Sequence, residues 1–276
     1  MNQQISQENF VQKFASLVLS ETDDDTSRNE SPVLDSRLIE IVSGLSAQKK
    51  IKLENFKPSQ NFQLSKQSDE SIYYGMMEQS LKHGVGIQLW PKIGNLVKGT
   101  WQNDLLEGVC TMFYSNGDIF EAQFSQGRTI GFGMFKSEKK VVKGIWVNNQ
   151  LQGEGQEIKS DGTTYFGQFW EGRKHGRGIQ MFPDGCKYEG FFKNNKFEGD
   201  GIFIWSDGSY YQGQFHKGLI RGIGNYNNNN GLQLIGQFQE IKKMESPEQN
   251  INKNLQTITF INQYNQTLLI EKIRIL

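Results

Sequence analysis

The chain has 276 residues, of which 30 are basic and 30 acidic, so its formal net charge is zero at pH 7. This balance disfavours a nucleic-acid partner and a strong electrostatic pull toward an anionic membrane. The two cysteines lie far apart without a Cys-x-x-Cys motif, which is typical of a reducing compartment and excludes a recognisable zinc site. Neither a leader nor a long apolar stretch is seen, so we expect a cytoplasmic protein without a membrane span.

Residues 1–70 predict a docking and linker segment with short N-terminal helices. Phe10, Phe14 and Leu17 fall on one side of the first helix, and residues 34–45 carry a second apolar stripe. Two interpretations stay open. The helices cover an edge or a face of the domain that follows, or the first helix is a docking peptide for the groove of a partner.

Residues 71–240 repeat one short phrase eight times. An aromatic or aliphatic residue is followed by Gly two places on, by an aromatic residue two places after that, and by Gly-x-Gly seven residues later. The phrase begins at Tyr73, Val97, Phe120, Val142, Tyr165, Tyr188, Tyr211 and Leu234, in steps of 22 to 24 residues. A period of this length predicts an array of stacked repeats rather than one closed globule.

The copy that begins at Tyr165 indicates what one unit forms. Tyr165, Gly167 and Phe169 share one face of a strand, because successive side chains of a strand point to opposite sides. A polar reversal at 171–174 and a second apolar run at 178–182 complete a β-hairpin. Asp-Gly or Asn-Gly pairs, which reach positive φ easily, connect one hairpin to the next. We therefore predict a mostly β fold, an elongated antiparallel sheet of consecutive hairpins.

The glycines within the first strands need an explanation, because Gly normally weakens a strand. Each lies between two bulky residues of the same face, which leaves room for an aromatic ring from the neighbouring hairpin to lie on the bare backbone. The predicted ladder of rings contains Trp101, Phe124, Trp146, Phe169, Phe192, Phe215 and Phe238. The structural set also includes Gly99, Gly144, Gly167, Gly190 and Gly213, with Tyr165, Tyr188 and Tyr211.

The phrase resembles the membrane occupation and recognition nexus repeat, known as the MORN repeat. The resemblance rests on Tyr-x-Gly-x-Phe or Trp, His-Gly-x-Gly and Pro or Ser-Asp-Gly, which recur in phase over well more than half of the chain. Departures are local. Met77 stands at an aromatic position, Cys110 and Ala122 stand at glycine positions, and residues 136–140 and 227–230 break the apolar pattern.

The resemblance implies a non-enzymatic scaffold that binds proteins in a cytoskeletal assembly, with a ciliary axoneme or radial spoke as one candidate. It leaves homodimerisation open. The alternative, which the family name implies, is an adaptor for phosphoinositide membranes. It is not favoured, because basic residues cluster only at 136–143 and 173–177. We predict no catalytic residue, cofactor or metal, because no nucleophile, phosphate-loop or metal-ligand motif is found.

Aromatic residues outside the glycine phrase are the candidates for protein binding. Trp90, Tyr114, Phe182 and Trp205 lie at the ends of second strands, and Trp170 follows a ladder position. The three tryptophans are the least constrained by the repeat, so we expect them to be partly exposed and to contribute most to affinity. Residues 241–276 predict a tail with a final hairpin that can cap the open end of the sheet.

Overall fold

A computed structural model describes residues 62–241, 255–261 and 267–274. The predicted N-terminal helices, with Phe10, Phe14 and Leu17, lie outside these residues. By backbone contacts the chain divides into two compact units. Of the described residues, 62–138 with 146–149 form unit 1, and 139–145 with those from 150 onward form unit 2.

The regular elements of the described residues are β-strands, which confirms the mostly β prediction. In unit 1 they are β1 (Phe62–Lys66), β2 (Ile72–Glu78), β3 (Leu81–Trp90), β4 (Asn95–Gln102), β5 (Leu105–Phe113), β6 (Ile119–Ser125) and β7 (Arg128–Lys136). β8 (Lys140–Val147) has residues in both units. In unit 2 they are β9 (Gln150–Lys159), β10 (Thr164–Trp170), β11 (Arg173–Met181), β12 (Lys187–Lys193), β13 (Lys196–Ile204), β14 (Tyr210–His216), β15 (Leu219–Asn227), β16 (Gln233–Ile241), β17 (Leu255–Ile261) and β18 (Thr267–Arg274).

Consecutive strands within each unit pair antiparallel, in a register that sets glycine opposite glycine. In unit 2 the row runs through Gly155, Gly167, Gly178, Gly190, Gly201, Gly213, Gly224 and Gly236. We call this the glycine row. In unit 1 the corresponding positions hold Gly75, Gly86, Gly99, Cys110, Ala122 and Gly133. The phase seen in the sequence is therefore the pairing register of the strands.

Two kinds of turn alternate along the chain. Turns within a hairpin hold both central residues at positive φ, as at Asn194 (50°) and Asn195 (69°), which matches the twist of paired strands. In the turns that connect hairpins, Gly208 has positive φ and Asp207 does not. The Oδ1 atom of Asp207 instead accepts a hydrogen bond from the backbone N–H of Ser209 at 2.8 Å. The glycine of the pair thus takes the positive φ that was predicted for these connections. Asp is present because its side chain closes the turn.

A β-bulge marks the start of Gly-x-Gly in β3, β7, β11, β13 and β15. In β11 three residues lie opposite one residue of β10, between the pairs Gly167–Gly178 and Phe169–Lys174. Gly176 takes φ of 62° there, a conformation that non-glycine residues rarely adopt. The bulge explains why the repeat needs the first glycine of the pair.

The tail that was predicted to contain a hairpin supplies β17 and β18. These strands pair antiparallel with each other, and β17 also pairs with β16. Among the described residues, no helix is long and apolar enough to cross a lipid bilayer.

Candidate functional site

Tyrosine rings fill the space above the glycine row on one face of the sheet, here called the ring face. Tyr188 is fully buried, and its hydroxyl donates to the backbone carbonyl of Phe191 at 2.9 Å. A Cβ added at Gly190 or Gly201 would lie 2.6 Å from that hydroxyl oxygen. The equivalent hydroxyls of Tyr73, Tyr165 and Tyr211 make the same bond three residues ahead. The two glycines of one hairpin thus form the seat of one tyrosine.

In these four repeats the ring that covers the glycines comes from their own hairpin, so the prediction of a ring from the neighbouring hairpin is wrong. The physical reason is that the residue two places before the glycine shares its face, and its hydroxyl can anchor the ring along the strand. Burial raises the pKa of Tyr211 to about 12, so the hydroxyl stays neutral and keeps its donor role at ordinary pH.

Neighbouring hairpins of unit 2 meet through edge-to-face ring pairs. The ring centroids are 4.8 Å apart for Tyr165 and Phe192, 5.0 Å for Tyr188 and Phe215, and 5.0 Å for Tyr211 and Phe238. The predicted ladder therefore exists, with tyrosines between its Phe members. Aromatic pairs of this geometry contribute about 0.5–1.5 kcal/mol beyond area burial, so the ladder links each hairpin to the next.

Where a repeat lacks the tyrosine, another side chain fills the space over the glycine. Val97 stands in place of Tyr, and the side chain of Cys110 lies over Gly99 instead. In the next copy, Ala122 and the ring of Trp146 cover Gly133. The Trp146 ring belongs to a neighbouring hairpin, as was predicted. Cys110 therefore replaces the volume of the missing ring, whereas the copy with Ala122 keeps a buried ring, Phe120, at the tyrosine position.

The ring face of unit 2 also buries an ion pair. Glu157, which is 7% exposed, accepts from the Nζ atoms of Lys174 and Lys140, each at 3.0 Å. Lys174 is 6% exposed, donates to Gln180 at 3.0 Å and lies 4.7 Å from the ring centroid of Tyr165. Burial opposes ionisation of Glu157, but the two lysines outweigh it and hold the pKa of the carboxyl below its ordinary value.

The opposite face of unit 2, here called the outer face, carries an open groove of about 770 Å³. The groove lies above the glycine row, and its floor is Gly167, Gly178, Gly190, Gly201 and Gly213. One wall contains Phe166, Ile179, Glu189, Ile202 and Gln212, and the other contains Glu154, Arg177, Phe191 and Asp200. The strand register places these walls one residue to each side of the glycines.

Phe191 makes the middle of the groove apolar. Four other repeats have glutamine at this position, and two of these, Gln168 and Gln214, fold onto the bulge, where each accepts a backbone N–H at 3.1 Å. Phe191 cannot make that bond. Its ring stays on the outer face, with the Arg177 guanidinium 5.1 Å from its centroid. The Phe166 and Phe191 side chains are 43% and 38% exposed, so both rings are open to a partner.

Carboxylates dominate the charge of the groove. Glu189 pairs with Lys187 at 2.9 Å, whereas Glu154 and Asp200 have no ion pair among the described residues. Arg177 is the cation of the lining. It stands between Glu154 and Asp200 on the same wall, one repeat from each. A partner that fills the groove therefore meets an alternation of negative, positive and negative charge.

The structure places the predicted aromatic candidates at several different sites. Trp170 is 59% exposed and lies on the outer face of β10, two residues beyond Gln168. Trp90 is half-buried and donates its Nε1–H to Asp69. Trp205 and Tyr114 are half-buried, and Phe182 is buried near Phe203. Their binding role stays a prediction. Sequence reasoning missed Phe166 and Phe191, although both flank glycine and alternation puts them on the face opposite the tyrosines.

The basic clusters seen in the sequence are partly engaged within the fold. Lys174 is buried against Glu157, Lys140 pairs with the same carboxylate, and Arg177 lies over Phe191. Among the residues that the structure describes, no group of three or more His, Cys, Asp or Glu side chains is placed to hold a metal ion.

Comparison with protein families follows the same phase. The MORN repeat matches residues 73–92, 98–119, 143–164, 165–187, 188–210 and 211–233. The chain is a member of the MORN-repeat family. The copy from Phe120 and the short copy from Leu234 are not matched, and the Phe120 copy is the one with Ala122 and the lysine-rich end. It forms the hairpin of β6 and β7 all the same, with Ala122 opposite Gly133.

Solved structures give weaker similarities. The TCP domain of SAS-4 (dCPAP) from Drosophila melanogaster, in complex with a proline-rich motif of Ana2 (dSTIL), is 15% identical with a TM-score of 0.35, over 78% of this chain and 97% of that one. The TCP10 domain of Danio rerio CPAP is 9% identical with a TM-score of 0.39, over 77% and 99%. A comparison with curated proteins finds no match. At these low scores, function has to be inferred from the groove itself.

Proposed function

We propose that this MORN-repeat protein is a non-enzymatic scaffold whose outer face binds other proteins in a cytoskeletal assembly of the cytoplasm. An axoneme, and within it a radial spoke, is the assembly to examine first. The observation that supports the proposal best is the groove of unit 2. It combines exposed Phe166 and Phe191 rings with two carboxylates, Glu154 and Asp200, on one wall.

Such a groove suits a polypeptide. Exposed aromatic rings supply the anchors that dominate protein interfaces. The tyrosine seats on the ring face hold the walls in place, since each hairpin is tied to the next by ring pairs. A rigid surface loses little conformational entropy when it binds.

The charge of the groove weighs against the membrane alternative. Anionic headgroups are attracted by clustered lysine and arginine side chains. In the groove Glu154 and Asp200 face solvent, and of the sequence cluster at 173–177 one lysine is buried in an ion pair. We therefore place phosphoinositide binding second.

Cosedimentation with a cytoskeletal fraction tests the proposal. The intact chain is compared with the double variant Phe166→Gln and Phe191→Gln. Gln212 and Gln214 occupy the equivalent positions in β14, so these substitutions suit the repeat and the fold should survive. We expect the double variant to lose at least about tenfold in affinity, because two aromatic anchors are removed.

The matched control is Ile235→Gln, which removes an exposed apolar residue at the Phe166 position of another repeat, outside the groove lining. It should cosediment like the intact chain. Equal loss in both variants contradicts a role for the groove. Flotation with phosphoinositide-containing vesicles that disappears at moderate salt, without groove-dependent cosedimentation, would favour the membrane adaptor.

A further inference from the structure

The groove runs across the strands, so a bound segment meets a wall side chain of equivalent position at every second strand. Its two walls stand one residue before and one residue after the glycines of each strand, about 6.6 Å apart between Cα atoms, which is the ordinary spacing of same-face residues in a strand. A bound segment therefore lies along the wall side chains, and the axial spacing of its own side chains decides its fit. An α-helix brings side chains to one face once a turn, so two turns, or about 10.8 Å, overshoot two strand spacings of about 9.6 Å by about 1.2 Å at each repeat.

The repeat distance selects among extended conformations. Equivalent wall positions recur every two strands, which corresponds to about 9.6 Å across the sheet. A β-strand brings side chains to one face every two residues, or about 6.8 Å, and falls out of step at the first repeat. A polyproline II helix brings them to one face every three residues, or about 9.3 Å, and stays in step within about 1 Å over three repeats.

The charges of the groove fit the same period. Glu154 lies on β9 and Asp200 on β13, on the same wall, so four strand spacings or about 19 Å separate their backbones. Six residues of polyproline II span about 18.6 Å. Cationic side chains six residues apart on such a segment therefore meet both carboxylates, while the residue midway between them lies over β11 beside Arg177, whose guanidinium is 5.1 Å from the centroid of the Phe191 ring on β12.

We infer that the groove of unit 2 binds a proline-rich segment of a partner protein in the polyproline II conformation, with Lys or Arg at positions i and i+6. This inference rests on the proposed protein-binding function and specifies the partner. Phe166 and Phe191 pack against proline rings, as aromatic grooves do for such segments. Glu154 and Asp200 hold the two cations of the segment by charge-assisted contacts.

Fluorescence anisotropy with the full chain and labelled synthetic peptides provides the test. The probe is a proline-rich peptide of about ten residues with Arg at i and i+6. A second peptide of the same composition has its arginines at i and i+4, and a third has alanine for proline, which removes the preset polyproline II conformation. We expect saturable binding of the first peptide and at least about fivefold weaker binding of the other two.

Variants of the two carboxylates complete the test. Glu154→Gln and Asp200→Asn should each weaken the first peptide by about five- to tenfold, and the loss should shrink as salt is raised. The control is Glu171→Gln, in an exposed turn. Gln126 stands at the same turn position of another repeat, so this variant should fold normally and bind like the intact chain.

The possible outcomes separate this inference from the scaffold proposal. Equal binding of the shifted peptide or of the alanine peptide overturns the inference, as does unchanged affinity in both carboxylate variants. If no proline-rich peptide binds while cosedimentation still depends on Phe166 and Phe191, the scaffold proposal stands and the assigned partner is wrong. If cosedimentation is also independent of these rings, the scaffold proposal fails as well.

Discussion

Alanine at Gly201 is expected to destabilise the folded chain by about 3 kcal/mol, because overpacking of a filled site forces its neighbours to move. The three atoms nearest to the added Cβ all belong to the Tyr188 side chain, at 2.6–2.8 Å. That ring cannot yield easily. It is fully buried, stacks on Phe197 at 3.7 Å and is hydrogen-bonded through its hydroxyl.

The loss should be partly rescued by Tyr188→Val. The valine variant alone creates a cavity and should cost about 3–5 kcal/mol. Together the two substitutions imitate the natural combination of Val97 and Cys110, in which a side chain on the second strand replaces the ring. We expect the double variant to be about 2 kcal/mol more stable than the sum of the single effects predicts.

Urea unfolding followed by circular dichroism gives the four stabilities of this cycle. Gly172→Asn is the control, because a Cβ at Gly172 meets no atom within 4 Å and Asn195 holds the equivalent positive φ. It should unfold near the intact chain. If the losses of stability from Gly201→Ala and Tyr188→Val simply add in the double variant, the Tyr188 ring does not pack on this glycine pair and the description is contradicted.

Removing the carboxylate of Glu157 is the second large effect. Glu157→Gln leaves the buried ammonium of Lys174 without its counter-charge, and such a break costs about 3–5 kcal/mol. The control Glu189→Gln breaks the exposed pair with Lys187, which should cost less than about 1 kcal/mol. The double variant Glu157→Met and Lys174→Leu should recover most of the loss, since Met112 and Leu151 occupy these positions in other repeats.

The effect of Glu157 should depend on pH. Its pKa is lowered on folding from the ordinary value of 4.5, so its contribution is fully present above that pH and is lost as the pH falls through the lower folded value. We expect the stability gap between the intact chain and Glu157→Gln to be constant near neutrality and to close in acid. A gap that persists unchanged at pH 2–3 would show that the ion pair is not its source.

Much of the fold could be predicted because one period repeats in the sequence. Alternation at Tyr165, Gly167 and Phe169 indicated a strand, and the phase of Gly-x-Gly indicated where its partner returns. The seat of the tyrosine could not be derived in the same way. The two glycines of a hairpin form one surface only because the strand register places them opposite each other, and that register cannot be read from the sequence alone. The register also decides which aromatic ring lies nearest to the glycine pair.

The groove was less accessible to prediction than the ring face. Phe166 and Phe191 interrupt no pattern, because the positions that flank the glycines vary from repeat to repeat. Their place in the groove depends on their neighbours on adjacent strands, such as Arg177 beside Phe191. Trp170, chosen from the sequence, lies on the same face, whereas Phe182 packs inward at the end of its strand.

The pair of Lys174 and Glu157 joins two successive repeats, while each tyrosine seat is complete within one hairpin. Most repeats could therefore be duplicated, deleted or exchanged during evolution without loss of packing, provided that a whole repeat is moved. The two repeats that share this ion pair could not be separated in this way, because one charged side chain would then be buried without its partner. A single polar contact thus imposes an order on otherwise interchangeable modules.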